Sequence, residues 1–295
     1  REFPALPVEA FRREKVTTFE GERAVFDFET SGTTDSVKGR HYLKNGRCYE
    51  KSLELGFRQF MPDLSGHRWL SLVPAWKDRP HSSLAYMLKH LAGSIPEAGG
   101  MEVLTDAEYV IDFPAVAKVL HESVERSERV ALFGTSFALA QAAEFMWQEG
   151  SVLRLEEGSV IFDTGGYKGR HRELSAEEFL ELLERSWGVE RMGVWNEYGM
   201  TELSSQGYAR LDQGLHHFPA WVRVRLVNPA TGRDAEAGER GLIHVYDLAN
   251  VHSVMAVGTQ DVGVWEEGGI RVLGRLKSAP ERGCSLPFER VGEAS

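Results

Sequence analysis

Three short segments of this chain combine side chains that could bind phosphate groups or a nucleotide. The first segment, at residues 30–41, reads TSGTTDSVKGRH and contains Ser31, Gly32, Thr33, Thr34 and Lys38. Glycines let backbone N–H groups approach an anion, hydroxyls donate hydrogen bonds, and the cations Lys38 and Arg40 neutralise phosphate charge. The spacing is not that of a Walker A loop. The segment therefore indicates either a phosphate-binding loop or a solvated turn.

The second segment, NEYGMTE at residues 196–202, directly follows a short apolar run. The ring of Tyr198 could stack on a base beside the turn residue Gly199. The hydroxyl of Thr201 follows, and the carboxylate of Glu202 could hold Mg²⁺ beside a phosphate. The competing interpretation is a turn whose aromatic ring packs in the core.

The third segment, GTQDVG at residues 258–263, is followed about a dozen residues later by GRLK at 274–277. The glycines predict a turn, and Asp261 on such a turn would accept hydrogen bonds from sugar hydroxyls. Arg275 could reach the ribose or a phosphate. Aspartate is also common in glycine turns that bind nothing, so this segment alone leaves both interpretations open.

The elements that must position these segments alternate along the middle of the chain. Helical patterns cover residues 113–128, 136–148 and 175–187, with Ser136 as a plausible N-cap and a capping box at Ser175 and Glu178. Short apolar runs lie between them at 129–133, 159–162 and 192–195. We therefore predict an α/β fold, a mainly parallel sheet flanked by helices on both faces. Ligands in such sheets bind at the carboxyl ends of the strands, where Gly165 and Gly166 would lie.

Past about residue 215 the pattern changes to period-two alternation with closely spaced turns, as at residues 221–227, 241–246 and 269–273. These stretches predict strands. We therefore expect two parts, an α/β core over residues 1–215 and a β-rich subdomain with a short C-terminal tail over residues 216–295.

Bulk composition excludes several classes of protein. The net charge of −10 argues against nucleic-acid binding, because phosphate contacts need Lys and Arg. The two cysteines, Cys48 and Cys284, form no CxxC pair, which argues against a structural zinc site and fits a reducing cytoplasm. No apolar stretch is long enough for a membrane helix. The chain opens on Arg1 rather than Met, so we expect an N-terminal piece to be missing.

A serine-hydrolase interpretation is weak. Residues 134–138, GTSFA, are similar to the nucleophile elbow GxSxG, with Ala138 in the last glycine position. The role of Ser136 as a helix N-cap explains the segment more simply.

The order of the motifs resembles that of adenylate-forming enzymes, which include acyl-CoA synthetases, luciferases and peptide-synthetase adenylation domains. YGMTE matches their YGxTE fully, whereas SGTTDSVKG departs from SGTTGxPKG at Asp35 and Val37. The finer resemblance is to the acyl-protein synthetases of bacterial bioluminescence. It is carried by LPVEAF at residues 6–11, the Arg-His after SGTT, GGYKGR at 165–170 and RGCSL at 282–286. It spans nearly the whole chain.

The resemblance implies the α/β fold of the N-terminal domain of adenylate-forming enzymes, with ATP and Mg²⁺ as cofactors. It assigns ATP phosphates to the SGTT loop with Thr33, Thr34 and Lys38, and the adenine pocket to Gly165 and Gly166. It assigns adenine stacking to Tyr198 beside Gly199, the adenylate phosphate to Thr201 and Mg²⁺ to Glu202. It assigns the ribose to Asp261, with Arg275 nearby, and acyl transfer to the thiol of Cys284.

The implied activity is ATP-dependent conversion of a carboxylic acid, a fatty acid above all, to an acyl-adenylate, followed by transfer to a protein thiol. The implied partners are the acid and an acceptor protein such as an acyl reductase or transferase subunit. Two alternatives stay open. One is a non-catalytic subunit that binds nucleotide or acyl group, which the departures at Asp35 and Val37 favour. The other is an aryl-acid or acyl-CoA ligase.

Overall fold

The structure, a computed structural model, describes residues 3–20, 23–30, 37–95, 100–166 and 174–275. The helices are α1 (Ala10–Arg13), α2 (Arg47–Phe60), α3 (Ser83–Ser94), α4 (Phe113–Glu125), α5 (Ser136–Gln148) and α6 (Ala176–Trp187). The strands are β1 (Leu6–Pro7), β2 (Phe26–Glu29), β3 (Arg40–Leu43), β4 (Arg68–Ser71), β5 (Glu102–Val103), β6 (Val130–Gly134), β7 (Val160–Asp163), β8 (Val194–Tyr198), β9 (Gly207–Arg210), β10 (Leu215–His216), β11 (Val222–Val227), β12 (Arg240–Asp247), β13 (Ala256–Glu266) and β14 (Gly269–Arg275).

A six-stranded sheet in the order β5-β4-β6-β7-β8-β9 forms the centre of the molecule. Its first five strands are parallel, and only β9 at the edge runs antiparallel. Because the connections from β6 to β7 and from β7 to β8 pass through α5 and α6, the carboxyl ends of these strands meet at one edge. This is the edge that the sequence predicts for ligand binding.

Both faces of the central sheet are buried. Alternate residues of one strand, such as Leu132 and Phe133 of β6, enter two different cores. The first core packs against α4, α5 and α6, and the second against α2 and α3. A strand buried on both sides reads as a continuous apolar run, which explains why β6 and β7 are visible in the sequence.

A second sheet follows in the chain, in the order β10-β14-β13-β12-β11. Its main ladder is antiparallel, but β1 from the other end of the chain pairs with β13 in parallel. Strands β2 and β3 form a separate antiparallel hairpin. The α/β prediction is therefore confirmed in part: the fold is mixed, with one mainly parallel and one mainly antiparallel sheet. The division at residue 215 stays a prediction.

Most elements predicted in the middle of the chain are present, with small shifts. The capping box of α6 is confirmed, since Ser175 and Glu178 each hydrogen-bond the other's backbone. The N-cap of α5 was predicted one residue too late. Thr135 accepts the hydrogen bond from the Ala138 N–H, and Ser136 is the first helical residue. The Ser136 hydroxyl is thereby released for a contact outside the helix.

Candidate active site

The Gly-Gly turn after β7 lies at the predicted edge of the central sheet. Gly165 and Gly166 have φ angles of +69° and +92°, a backbone conformation that favours glycine. The Gly165 N–H donates to Asp163 Oδ1 at 2.8 Å, so the carboxylate that ends β7 holds the turn in place. The turn therefore presents backbone without side chains at the end of the strand.

Asp163 is the centre of a buried polar network at this edge. It accepts from the Ser136 hydroxyl at 2.7 Å and from Asn196 Nδ2 at 2.9 Å. Burial raises the pKa of Asp163, and the three donors from Ser136, Gly165 and Asn196 oppose that shift. The hydroxyl of Ser136 is thus committed to a carboxylate, an arrangement that does not match a nucleophilic serine bonded to a histidine base.

The network continues from Asn196 to the ring of Tyr198. Asn196 Oδ1 lies 2.8 Å from His216 Nε2, and because an amide oxygen only accepts, His216 donates from Nε2. Burial lowers the pKa of His216 to about 4, so the ring is neutral at pH 7. Its centroid lies 6.0 Å from that of Tyr198, edge to face. The end of β8 is therefore held to both β7 and β10.

Tyr198 joins the two sheets through its hydroxyl, which donates to Asp261 Oδ2 at 2.8 Å. Burial, and next the Asp261 carboxylate, raise the pKa of Tyr198 well above its ordinary value, so the hydroxyl keeps its proton. Arg275 Nε donates to the other oxygen, Oδ1, at 3.3 Å. The structure thus brings Tyr198, Asp261 and Arg275 into one cluster.

The prediction that Asp261 lies in a turn is wrong. Asp261 is inside the long strand β13, directly opposite Arg275 on β14. The register shifts between Val262 and Gly263, so a bulge follows Asp261 immediately. Cross-strand neighbours on one face lie close enough for their side chains to meet, which accounts for the Asp261–Arg275 contact.

If Tyr198 holds adenine as the resemblance implies, its replacement with phenylalanine is expected to raise the KM for ATP roughly tenfold, which corresponds to about 1.4 kcal/mol, while kcat changes less. The ring remains, but Asp261 loses the shorter of its hydrogen bonds from Tyr198 and Arg275, so its orientation is less well fixed. The measurement is ATP–pyrophosphate exchange at varied ATP. Tyr246→Phe is the matched control, because the Tyr246 hydroxyl bonds Arg225 and the Phe3 carbonyl elsewhere on the same sheet. Equal effects in both variants would contradict a role at the site.

Thr201 and Glu202 lie where the hairpin, α3 and the second sheet approach the end of β8. The hydroxyls of Thr201 and Ser83 are 3.5 Å apart. Glu202 is 5% exposed, and burial raises its pKa, a shift opposed by the charges of Arg275 and Arg12 and reinforced by that of Asp261. Glu202 therefore belongs to the same electrostatic cluster as Asp261 and Arg275, and a nearby cation would stabilise its ionised form.

The root of the predicted phosphate loop lies against Glu202. The Thr30 N–H donates to the Gly39 carbonyl, and the Gly39 N–H donates to the Thr30 hydroxyl, both at 2.9 Å. A Cβ on Gly39 would sit 3.4 Å from Glu202 Oε1. The loop thus leaves and rejoins the hairpin beside Glu202. Its own residues, Ser31, Gly32, Thr33 and Thr34 with Asp35, lie outside the described residues.

Lys38 is not directed at the cluster in this structure. Its Nζ lies 2.9 Å from Glu29 Oε2, and Arg40 contacts the other oxygen of the same carboxylate. The Lys38 hydrogen bond is the main cause that lowers the pKa of Glu29. Lys38 would have to leave Glu29 to reach a phosphate. Cys284 lies outside the described residues, whereas Cys48 is exposed on α2.

Glu197 is a buried acid in this motif that the sequence reasoning missed. It faces Tyr208 on β9 in register and occupies the space beside Gly199, where a Cβ would overlap its carboxyl group. Burial raises the pKa of Glu197 to about 8, and the charge of Asp163 adds to the shift. The glycine of YGMTE therefore has a packing reason here, apart from any ligand. Strand alternation is the signal that could have identified Glu197. Its side chain points to the face of the sheet opposite to that of Asn196 and Tyr198, because successive residues of a strand alternate between the two faces.

The raised pKa of Glu197 predicts that the free energy of unfolding falls as pH rises. Its folded pKa of about 8 exceeds the ordinary value of 4.5, so the folded state holds a proton that the unfolded state has lost. The protonated Glu197 carboxyl contributes its full stability below pH 4.5, and this contribution is lost as pH rises to about 8. Glu197→Gln should therefore gain thermal stability relative to the native chain between pH 5 and pH 9. Melting curves across this range check it, with exposed Glu102→Gln as control; a constant difference would contradict it.

A family of known proteins matches the part of the chain that contains most of this site. Residues 98–291, more than half of the chain, match the family model described as acyl-protein synthetase, LuxE. The chain belongs to the acyl-protein synthetase (LuxE) family. The matched range includes the Gly-Gly turn, the YGMTE segment, Asp261, Arg275 and Cys284, whereas the SGTT loop precedes it. No curated protein is similar enough in sequence to match.

Solved structures that are similar in fold include adenylate-forming ligases. ATP-bound MatB from Rhodopseudomonas palustris has 17% identity and a TM-score of 0.57 over 87% of this family member and 49% of its own chain. O-succinylbenzoate coenzyme A synthetase (MenE) from Bacillus subtilis, with ATP and magnesium, has 19% identity, a TM-score of 0.57 and coverages of 86% and 50%. A long-chain-fatty-acid-CoA ligase (FadD1) from Archaeoglobus fulgidus has 15% identity, a TM-score of 0.60 and coverages of 86% and 51%.

The chain of this acyl-protein synthetase family member spans about half the length of these ligases. At this level of identity the likeness shows the fold alone. Within the described residues, no helix has both the length and the apolar character of a membrane span.

Proposed function

We propose that this chain activates a carboxylic acid, in the first instance a fatty acid, as an acyl-adenylate from ATP and transfers the acyl group to a protein thiol. Membership of the acyl-protein synthetase family supports the overall reaction. The fold shared with ATP-bound ligases supports nucleotide binding at the carboxyl edge of the central sheet. FadD1 acts on long-chain fatty acids, which supports that class of acid.

One observation carries the proposal. Hydrogen bonds and close contacts run without a break from Gly165 through Asp163, Asn196 and His216 to Tyr198, and from there to Asp261 and Arg275. Glu202 joins the far end through its charge interactions and lies beside Gly39 at the root of the SGTT loop. These residues are far apart in sequence, and binding of one nucleotide by all of them requires such convergence.

The proposed binding site for ATP follows from this arrangement. The Gly165–Gly166 backbone would line the adenine pocket, and the ring of Tyr198 would stack on the base. Asp261, with Arg275 beside it, would accept hydrogen bonds from the ribose hydroxyls. Ser31, Gly32, Thr33, Thr34 and Lys38 would hold the phosphates, which requires Lys38 to exchange Glu29 for a phosphate oxygen.

Glu202 fits a magnesium ion. It is a buried carboxylate whose pKa burial raises, so it gains from a cation, and the root of the phosphate loop is adjacent. Within the described residues, no group of three or more Asp, Glu, His or Cys could hold a metal alone. Mg²⁺ commonly takes one or two carboxylates and completes its shell with phosphate oxygens and water. When bound, it would neutralise the charge that builds up on the phosphates.

The first step joins the acid to AMP. A carboxylate oxygen of the acid attacks the α-phosphorus, a phosphorus–oxygen bond forms, and the bond to the leaving pyrophosphate breaks. The Thr201 hydroxyl would donate a hydrogen bond to an α-phosphate oxygen, and Lys38 would offset negative charge on the departing pyrophosphate. The residues contribute placement and charge neutralisation, which are the main contributions of proteins to phosphoryl-group chemistry.

The second step releases AMP. A thiolate sulfur attacks the acyl carbonyl carbon, a carbon–sulfur bond forms, and the carbon–oxygen bond to AMP breaks. We assign the thiol to Cys284 and propose a downstream acyl reductase or transferase subunit as the final acceptor. A mixed anhydride is the reactive form because AMP leaves more readily than oxide from a free carboxylate.

Acid-dependent ATP–pyrophosphate exchange across a panel of fatty and aryl acids tests the proposal. Exchange stimulated most by fatty acids supports it. Preference for aryl acids, or product that appears only with coenzyme A, would favour a ligase of the other kind. ATP binding without exchange for any acid would indicate a non-catalytic subunit and overturn the proposal.

A further inference from the structure

Two buried side chains outside the YGMTE motif hold consecutive carbonyl groups inside it. His41 on β3 lies with Nδ1 2.8 Å from the Thr201 carbonyl oxygen. Asn250, in the connection between β12 and β13, donates from Nδ2 to the Glu202 carbonyl at 2.9 Å. A carbonyl oxygen only accepts, so His41 carries its proton on Nδ1. The two residues proposed to contact phosphate and metal are therefore each fixed by a group from another element.

Both side chains are 1% exposed, and Asn250 has further bonds that fix its own orientation. Its Nδ2 also donates to the Val254 carbonyl at 2.9 Å, and its Oδ1 accepts from the Ser204 hydroxyl at 3.1 Å. The ring of Phe11 packs edge-on against that of His41. Neither group can turn away without leaving a buried polar atom unsatisfied.

Among the residues that the structure describes, the backbone at Thr201 and Glu202 has no strand partner. After Tyr198 the chain leaves β8, makes one turn through the Leu203 N–H to the Met200 carbonyl, and enters β9 at Gly207. Buried backbone groups in such an irregular stretch must find partners on side chains. His41 and Asn250 supply them at Thr201 and Glu202.

We propose that His41 and Asn250 are positioning residues, which fix the Thr201–Glu202 backbone so that the two side chains face the nucleotide. This inference rests on the proposed function. The Glu202 side chain lies near Gly39 and Arg12, and the Thr201 hydroxyl lies 3.5 Å from that of Ser83. Holding the two carbonyls therefore limits the positions that these side chains can take. Neither His41 nor Asn250 touches substrate in this arrangement.

The test compares His41→Phe with His67→Phe. His67 is a matched control: it is 3% exposed, and its Nε2 lies 3.0 Å from the Gly158 carbonyl, but near the opposite ends of the strands. His41→Phe should lower the kcat of ATP–pyrophosphate exchange by roughly 10–100-fold, because small misplacements of reacting groups are costly. The KM for ATP should change much less, and the Mg²⁺ concentration for half-maximal rate should rise. His67→Phe should lose stability only.

Rescue separates positioning from packing. His41→Asn should recover most of the lost rate, since an asparagine Nδ2 can donate from near the position of histidine Nδ1. Asn250→Leu should reproduce the kinetic pattern of His41→Phe, and the double variant should lose less than the product of the two single effects. An equal loss of kcat in His41→Phe and His67→Phe, or no recovery in His41→Asn, would overturn the proposal.

Amide hydrogen exchange of residues 200–206 gives a second measurement that does not depend on activity. We expect faster amide hydrogen exchange there in His41→Phe and Asn250→Leu, but not in His67→Phe. Unchanged amide hydrogen exchange in His41→Phe and Asn250→Leu would overturn the proposal. If the native chain shows no pyrophosphate exchange with any acid, the proposed function fails. Amide hydrogen exchange of residues 200–206 then still decides whether His41 and Asn250 hold this segment. If His41→Phe does not fold, Asn250→Ser takes its place in the same comparison.

Discussion

Glu202→Gln is expected to lower acid-dependent ATP–pyrophosphate exchange by roughly 10²–10³-fold, the range for removing one group that stabilises the transition state electrostatically. Glutamine keeps the shape of the side chain but not the charge. The carboxylate is buried beside the root of the phosphate loop, with Arg12, Arg275 and Asp261 close enough to affect its pKa. Loss of its charge removes the proposed protein ligand of Mg²⁺.

The fold of Glu202→Gln should stay intact. Burial raises the pKa of Glu202, which means that the ionised form costs free energy in the folded state. A neutral amide avoids this cost, so the melting temperature should be unchanged or higher. Loss of exchange with retained stability then points to chemistry rather than to unfolding.

Glu197→Gln is the matched control for Glu202→Gln. It also replaces a buried glutamate near the end of β8, but one that faces Tyr208 rather than the loop root. The pair should be compared at saturating acid over a range of Mg²⁺ concentrations. An unchanged Mg²⁺-dependent rate in Glu202→Gln would refute the metal role, and equal losses in both variants would show that any buried acid here matters.

The central fold could be predicted because its local signals agree with its tertiary structure. Strands β6 and β7 are buried on both faces and so appear as apolar runs. The capping box at Ser175 marks the start of α6 by side-chain chemistry alone. Agreement between local preference and global packing makes such elements readable.

Strand β13 could not be predicted in the same way. Glycines at 258 and 263 and the polar run between them are typical of a turn, yet pairing with β12, β14 and β1 makes the segment a strand. Gly258 faces the β1 segment, where Val8 donates to its carbonyl, a contact between opposite ends of the chain. Long-range pairing of this kind leaves no local pattern.

The residues of the candidate site also fall into those that the sequence predicts and those that only the structure reveals. Motif residues such as Tyr198, Glu202 and Asp261 are visible as residue types in a known order. His41, Asn250 and Glu197 act through backbone carbonyls and through a buried cluster, so their parts depend on contacts across many residues. Sequence spacing carries no information on these contacts. Chemistry-bearing residues are therefore easier to predict here than the groups that orient them.

Cys284→Ala is expected to abolish stable acyl labelling of the protein while leaving ATP–pyrophosphate exchange unchanged. The two steps need different groups. Adenylate formation needs the phosphate site and a carboxylate but no thiol. Stable labelling needs a nucleophile, and a thiolate is the strongest that a protein offers near neutral pH. Cys284 lies in the range that matches the acyl-protein synthetase family.

Cys48→Ala is the matched control, since Cys48 is the other thiol of the chain and is exposed on α2. Each variant is incubated with radiolabelled fatty acid, ATP and Mg²⁺, and the denatured protein is then treated with neutral hydroxylamine, which cleaves thioesters. Label that is released by hydroxylamine in the native chain and in Cys48→Ala, and absent in Cys284→Ala, is the expected pattern.

The opposite pattern would reassign the thiol. Hydroxylamine-sensitive label that persists in Cys284→Ala and disappears in Cys48→Ala would show that the acyl group is carried on α2. Absence of label on either cysteine, with normal pyrophosphate exchange in the native chain, would mean that the adenylate passes directly to a thiol of the acceptor protein. Because exchange is measured on the same samples, a loss of transfer is separated from a loss of adenylate formation.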